Sequence, residues 1–219
     1  MRLVLMGPPA SGKGTQAARL REAYRVETIS TGAMLRGEIE AGTVLGEGAS
    51  RHLERGRLLP DDLMLGVVRR WVEDREGGFV LDGFPRTLRQ GEAFDEILAE
   101  AGWELTAAVF LDTPRDLLEA RVIERRHCVE CGMVVRLGTH VESAGDPCPT
   151  CGGELVKRSD DTLEVFHQRM DEYEEKTIPV VRYYEEKKKL LRIRGEGGAD
   201  MVFKRLDESL GALRAAGDD

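Results

Sequence analysis

Gly7-Pro8-Pro9-Ala10-Ser11-Gly12-Lys13-Gly14-Thr15 decides the fold of this 219-residue chain. The apolar run Leu3-Val4-Leu5-Met6 stands just before it, and a helical pattern from 14 to about 24 follows. Strand, Gly-rich turn and helix are the context a phosphate-binding loop requires. Successive main-chain N–H groups converge on an anion at a helix N-terminus, and a lysine adds a point charge for the β- and γ-phosphates. Here Gly14 follows Lys13 and the hydroxyl comes one residue later, at Thr15, so the strict pattern is missed by one position.

The same β-then-α rhythm continues outward, which predicts an α/β fold around a parallel sheet. Further apolar runs are Gly78-Phe79-Val80-Leu81, Ala107-Ala108-Val109-Phe110-Leu111 and Leu190-Leu191-Arg192-Ile193, with a weaker one at Val26-Glu27-Thr28-Ile29. They are continuous rather than alternating, as suits strands buried on both faces. Thr113-Pro114 reads as the start of a helix running to 126, and Asp160 or Asp161 as the cap of a long helix reaching about 189. A last helix spans 199 to 215, and Gly217-Asp218-Asp219 is expected to fray. Two stretches break the rhythm. Residues 30–59 hold two short helical patterns, broken near Gly42 and ending at Gly56. Residues 127–158 hold all four cysteines with short β-like pieces.

Two aspartates, Asp82 and Asp112, end apolar runs, where a carboxylate can help hold Mg²⁺ beside a nucleotide phosphate. For Asp112 the neighbouring Thr113-Pro114 supports a plain helix-start role.

Lys and Arg number 32 against 40 Asp and Glu, a net charge of -8, which argues against a general nucleic-acid or anionic-membrane binder. Of the 32 basic residues, 25 are Arg and 7 Lys, so the chain is rich in the side chain that reads phosphates bidentately. No apolar run reaches the roughly 18 residues of a membrane span. The apolar start is too short for a signal peptide, so a soluble cytoplasmic protein is expected.

Cys128-x2-Cys131-x16-Cys148-x2-Cys151 has the spacing of a two-knuckle zinc site, and four thiolates leave no open position, as in structural sites. Disulfides are the alternative, and His127 is a competing ligand beside Cys128. A zinc ion would staple an insert too small for a core of its own.

The string Asp82-Gly83-Phe84-Pro85-Arg86-Thr87, with Gly12-Lys13-Gly14-Thr15 before it and Ile29-Ser30-Thr31-Gly32 between, closely resembles the adenylate kinases. The resemblance continues in register through Arg121-Val122-Ile123-Glu124-Arg125-Arg126, Arg158-Ser159-Asp160-Asp161 and Arg169, covering essentially the whole chain. It implies a P-loop NTPase fold: a five-stranded parallel sheet flanked by helices, with a helical AMP-binding insert and a small zinc-stapled lid. The core would be 1–29, 60–123 and 162–219, the AMP-binding domain 30–59 and the lid 124–161. By resemblance, AMP is held by Thr31, Arg36, Arg57, Leu58, Leu59, Gly83, Phe84, Pro85, Arg86 and Gln90, together with Arg158 and Arg169. ATP is held by Ala10, Ser11, Gly12, Lys13, Gly14, Thr15, Arg125 and the backbone near Gly197, with Val134 and Val135 near its base. Lys13, Arg86, Arg121, Arg125, Arg158 and Arg169, with Asp82, would surround the transferred phosphoryl. Three positions depart from the family's habit: Ala10 for glycine, Ala33 for aspartate and Val135 for an aromatic. Ala10 is expected to sit in a helical conformation.

The activity implied is Mg²⁺-dependent ATP + AMP = 2 ADP in a monomer. The attacking phosphate oxygen is already anionic, so no general base is needed, and none of His52, His127, His140 and His167 lies in a family motif. In-line positioning and charge neutralisation do the work. A pyrimidine monophosphate acceptor is the first rival, against which Thr31 argues, since relatives that act on those acceptors tend to carry Ala there; GTP as donor is another. A zinc-ribbon nucleic-acid binder is a remoter one. Its insert would be poor in basic residues, with Glu130, Glu142, Asp146 and Glu154 present and no Phe, Trp or Tyr between Cys128 and Cys151.

Overall fold

A computed structural model describes residues 1–54, 57–73 and 75–215. The expected helix end at Gly56 and the tail 217–219 lie outside the described residues.

Five strands form the parallel sheet: β1 (Arg2–Met6), β2 (Glu27–Ser30), β3 (Phe79–Asp82), β4 (Ala107–Asp112) and β8 (Leu190–Arg194), in the order β2-β3-β1-β4-β8. All five expected strands are present within a residue or two. Their alternate side chains enter two cores. Val4, Met6, Leu81 and Phe110 face one side, Leu3, Leu5, Val80 and Leu111 the other, all nearly inaccessible. That is why the runs carry no polar alternation. β1 lies between β3 and β4, so the chain leaves its carboxyl end at the point where the strand order reverses. Ligands of open α/β sheets bind in that crevice.

Helix α1 (Lys13–Tyr24) follows β1 directly. Then come α2 (Thr31–Glu40) and α3 (Val44–Glu54), the expected helical pair, separated near Gly42. Helices α4 (Asp61–Glu73) and α5 (Leu88–Glu100) went unread in the sequence. Their signals are present: Asp61 and Asp62 in the first turn of α4, and Thr87 capping α5 by accepting from the Gln90 N–H.

Two helix assignments need correction. α6 (Arg115–Glu124) starts after Pro114 and stops two residues short of the expected end, because Arg125 turns extended and opens a strand. That strand, β5 (Arg125–Cys128), is the middle of an antiparallel sheet with β6 (Val134–Arg136) and β7 (Leu155–Val156). The expected long helix is three pieces: α7 (Leu163–Glu172), a π-helical turn Tyr173–Thr177 and α8 (Ile178–Glu186). Pro179 at the start of α8 lacks the N–H that a continuous helix would need. The wide turn also aims Thr177 at the cleft, where its hydroxyl donates to the Arg86 carbonyl at 2.9 Å. The α7 cap is Thr162, accepting from the Val165 N–H, not Asp160 or Asp161. α9 (Ala199–Ala215) ends where the sequence predicts.

Candidate active site

The phosphate loop wraps the start of α1. Gly12 caps that helix in the left-handed region, φ 96°, and no side chain caps the first turn. Its N–H groups are therefore directed at the crevice, the arrangement that attracts an anion. Ala10 does not take the expected helical conformation: its φ is +62°. The loop's tight geometry imposes a left-handed residue there, and alanine carries the steric cost that glycine would avoid. Lys13 folds back over the loop, donating to the carbonyls of Gly7 at 2.9 Å and Pro8 at 2.8 Å.

Basic groups from several elements converge on this loop. Burial drives the Lys13 amine down to about 7, Asp82 opposing and Arg86, Arg169 and Arg125 reinforcing. Burial, then Arg169, lowers Arg86 to about 10, against Asp82. Arg158 is lowered to about 10 by burial and by Arg36 and Arg125. Arg169 is lowered as well, mainly by burial, and donates to Asp160 at 3.1 Å. Burial works against the charge of Arg125 too, but its side-on pair with Asp161 outweighs this and raises it. Asp82, at the end of β3, is itself raised by burial, despite Lys13, Arg86, Arg36 and Arg158. So Lys13, Arg36, Arg86, Arg125, Arg158 and Arg169 gather around Asp82 and the neighbouring Asp160 and Asp161, an excess of positive charge that polyphosphate oxygens neutralise.

Arg121 is tied differently: it donates to the Ser11 carbonyl at 3.3 Å and the Gly195 carbonyl at 2.9 Å, linking the loop to the end of β8. Asp112 pairs with Arg192 at 3.1 Å, both half-exposed, which makes it a surface partner rather than a deep carboxylate. Gly197 is left-handed, φ 93°. Val134 is exposed, whereas Val135 is fully buried in the cysteine-bearing insert, so its side chain is not available to a base.

A second cavity opens beside Asp82. Thr31, Arg57, Leu58, Leu59, Gly83, Phe84, Arg86 and Gln90 all line it, with Gly32, Leu35 and Met64 completing the wall. Thr31 donates to the Gly83 carbonyl at 3.1 Å. Gly83 has φ 83°, the left-handed region that favours glycine, and a Cβ there would crowd Arg86 Nη2 at 2.8 Å. Pro85 is buried next to it, and Arg36 stands over Gly32. Leu35 and Met64 are new to the site. Their signal was the apolar face of their helices.

The four cysteine Sγ atoms lie within 4.8 Å of one another and form the metal-capable cluster found among the described residues. Cys128 and Cys151 are 3.4 Å apart, Cys131 and Cys148 3.7 Å, too far for disulfides and close to the ~3.8 Å edge of a tetrahedron with Zn–S bonds of about 2.3 Å. Hydrogen bonds, foremost from the Thr150 N–H, lower the Cys148 thiol, whereas the neighbouring sulfurs of Cys131 and Cys128 push Cys151 up, so the four sulfurs share their protons unequally.

Comparison with known proteins agrees with this geometry. The sequence model of the family described as adenylate kinase matches residues 5–189. The adenylate kinase of Acetivibrio thermocellus is 40% identical over 98% of this chain and 100% of its own length. That of Thermodesulfovibrio yellowstonii is 41% identical over 94% and 97%, and that of Archaeoglobus fulgidus 38% over 98% and 100%. Matches of this length and identity, falling on the loop, the cavity and the basic cluster together, mean that the chain belongs to the adenylate kinase family.

Proposed function

We infer that the chain is a phosphotransferase catalysing ATP + AMP = 2 ADP. The observation that carries the reading is the cluster of Lys13, Arg86 and Arg169, whose charges act on one another, joined through Arg36 and Arg125 to Arg158, between the phosphate loop and the Thr31–Gln90 cavity. ATP lies on the loop from Ala10 to Thr15, with Arg125 and the backbone near Gly197 beside it. Val134, and Val135 through its main chain, border the donor base. AMP fills the cavity, its phosphate facing Arg36, Arg86, Arg158 and Arg169.

A phosphate oxygen of AMP attacks the γ-phosphorus of ATP. One P–O bond forms as the bond to the β-phosphate bridging oxygen breaks, and ADP leaves on each side. Lys13 and the arginines hold the three equatorial oxygens and neutralise their charge. Arg121 shapes the loop that presents the donor. Asp82 and the exposed Thr15 hydroxyl would hold Mg²⁺; a Cβ at Gly14 would stand 3.4 Å from Asp82 Oδ2, so the carboxylate lies against the loop's helix. When bound, the ion would supply positive charge that offsets the phosphate oxygens.

The helical segment 30–59 and the insert 124–161 act as closing covers that keep water from the γ-phosphate. The four cysteines would hold a structural zinc ion in the second. Unpaired thiols suit a reducing compartment, which supports a cytoplasmic enzyme working on free nucleotides, and we take it to act as a monomer. Among the described residues no helix is long and apolar enough to cross a membrane. A coupled ADP assay with ATP or GTP as donor and AMP, UMP, CMP or GMP as acceptor tests the reading. AMP is expected to be the best acceptor by a wide margin; equal use of UMP or CMP would overturn it.

A further inference from the structure

Gln90 is almost fully buried and faces the cavity with a side-chain amide that has two possible orientations. An amide presents a donor on one side and an acceptor on the other, so which way it points decides which base edge it can read. Two neighbours decide it here. Asp61, the first residue of α4, accepts from Gln90 Nε2 through Oδ1 at 2.7 Å. The Arg86 main-chain N–H donates to Gln90 Oε1 at 2.8 Å. Neither partner can reverse its role: a carboxylate only accepts and a peptide N–H only donates. Turning the amide over would set oxygen against carboxylate and NH₂ against N–H.

Both partners are themselves anchored. Asp61 Oδ2 accepts from the Thr87 hydroxyl at 2.9 Å, and that hydroxyl accepts from the Gln90 N–H at 3.1 Å. The Arg86 carbonyl, in the next peptide along, accepts from Thr177 at 2.9 Å, which pins the residue on its other side. Each anchor uses one hydrogen-bonding position of the amide. One N–H and one oxygen lone pair remain for the cavity.

That remaining pair matches one purine edge. Adenine offers an amino donor at C6 to the oxygen and the N1 acceptor to the N–H. A 6-oxopurine offers the reverse, O6 accepting and N1–H donating, and meets both groups with the wrong sign. A buried polar pair left unmatched costs far more than a missing contact.

We propose that Asp61 is a positioning residue that locks the Gln90 amide in the adenine-reading orientation, so that the acceptor site rejects 6-oxopurine monophosphates. The proposal rests on the reading that this cavity takes the acceptor base.

The test compares kcat/KM for AMP and for IMP, which carries the 6-oxo group on the same ribose phosphate. The ratio is independent of how much of a preparation is folded. In Asp61→Ala the AMP-to-IMP ratio should fall about tenfold or more, KM for AMP should rise and KM for ATP should stay within about twofold. Asp61→Asn still offers an oxygen to Nε2 and should keep the ratio within about threefold of the unsubstituted enzyme. If Asp61→Ala yields no active protein, Asp61→Ser takes its place in the same measurement. An unchanged ratio, with both acceptors losing equally, overturns the proposal and leaves a purely structural aspartate. Failure of the underlying reading looks different: the unsubstituted enzyme would itself not prefer AMP among the acceptors.

Discussion

Arg125 and Asp161 meet side-on at the neck of the cysteine-bearing insert, Nε to Oδ2 at 2.8 Å and Nη2 to Oδ1, with Asp161 1% exposed. One residue opens β5 and the other stands just before α7, so the pair closes the two chain crossings of the insert on each other. Removing one member of a buried pair strands the other charge, here among Arg158 and Arg169. Asp161→Asn should lower stability by about 3 kcal/mol, at the lower end of such losses because Arg125 keeps some water contact, and should raise KM for ATP. Calorimetry and steady-state kinetics check this; no change in either would make the pair incidental.

Ala10 carries a left-handed backbone at φ +62°. Relieving that strain is worth about 1–2 kcal/mol, against about 0.4–1 kcal/mol for the greater freedom of glycine in the unfolded chain. Ala10→Gly should therefore stabilise the protein by roughly 0.5–1 kcal/mol. A fall in melting temperature would show that the loop needs the methyl group.

Lys13 gives a pH signature. Its folded value is about 7 against an ordinary 10.5, so the unfolded chain binds this proton over a range where the folded chain has released it. Below about 7 both states are charged and the full cost of burying the ammonium is present. That cost recedes as pH rises from about 7 toward about 10.5, so stability from this group increases with pH across that window. Lys13→Met abolishes the term. The melting temperature of the native enzyme should gain on that of the variant as pH rises; a constant difference would contradict the assignment.

The cysteine cluster is checked by metal analysis and chelation. Purified protein from metal-replete expression should carry about one equivalent of zinc, and less than about half would count against the site. Strong chelation, or Cys148→Ser, should lower the melting temperature and raise KM for ATP while the parallel sheet stays folded by circular dichroism.

Much of this molecule was legible in its sequence. The strands could be read because each is buried on both faces and so reads as an unbroken apolar run, as at 107–111. The phosphate loop and the Asp82–Thr87 string were local, and so was the cysteine spacing. What escaped reading depended on distance or on backbone sign. Asp161 looked like a helix cap because its partner, Arg125, is 36 residues away. Asp61 is silent in the sequence because it meets Gln90, 29 residues on, only once α4 has packed. Ala10 was misjudged because the loop's fold, not the residue's preference, sets its φ. The π-helical turn, just ahead of Pro179 and with Thr177 donating to the Arg86 carbonyl, leaves no periodic mark.

The buried cluster of the insert holds four residues, Cys128, Val135, Cys148 and Leu155, and two of them are the thiols themselves. Its stability and the metal site proposed for it would thus be vested in the same atoms, while Lys13, Arg86, Arg169 and Gln90 belong to other elements. Another fastening in place of the four thiols would leave Lys13, Arg86 and Gln90 untouched, so the insert can be held shut in more than one way while the groups beneath it stay the same.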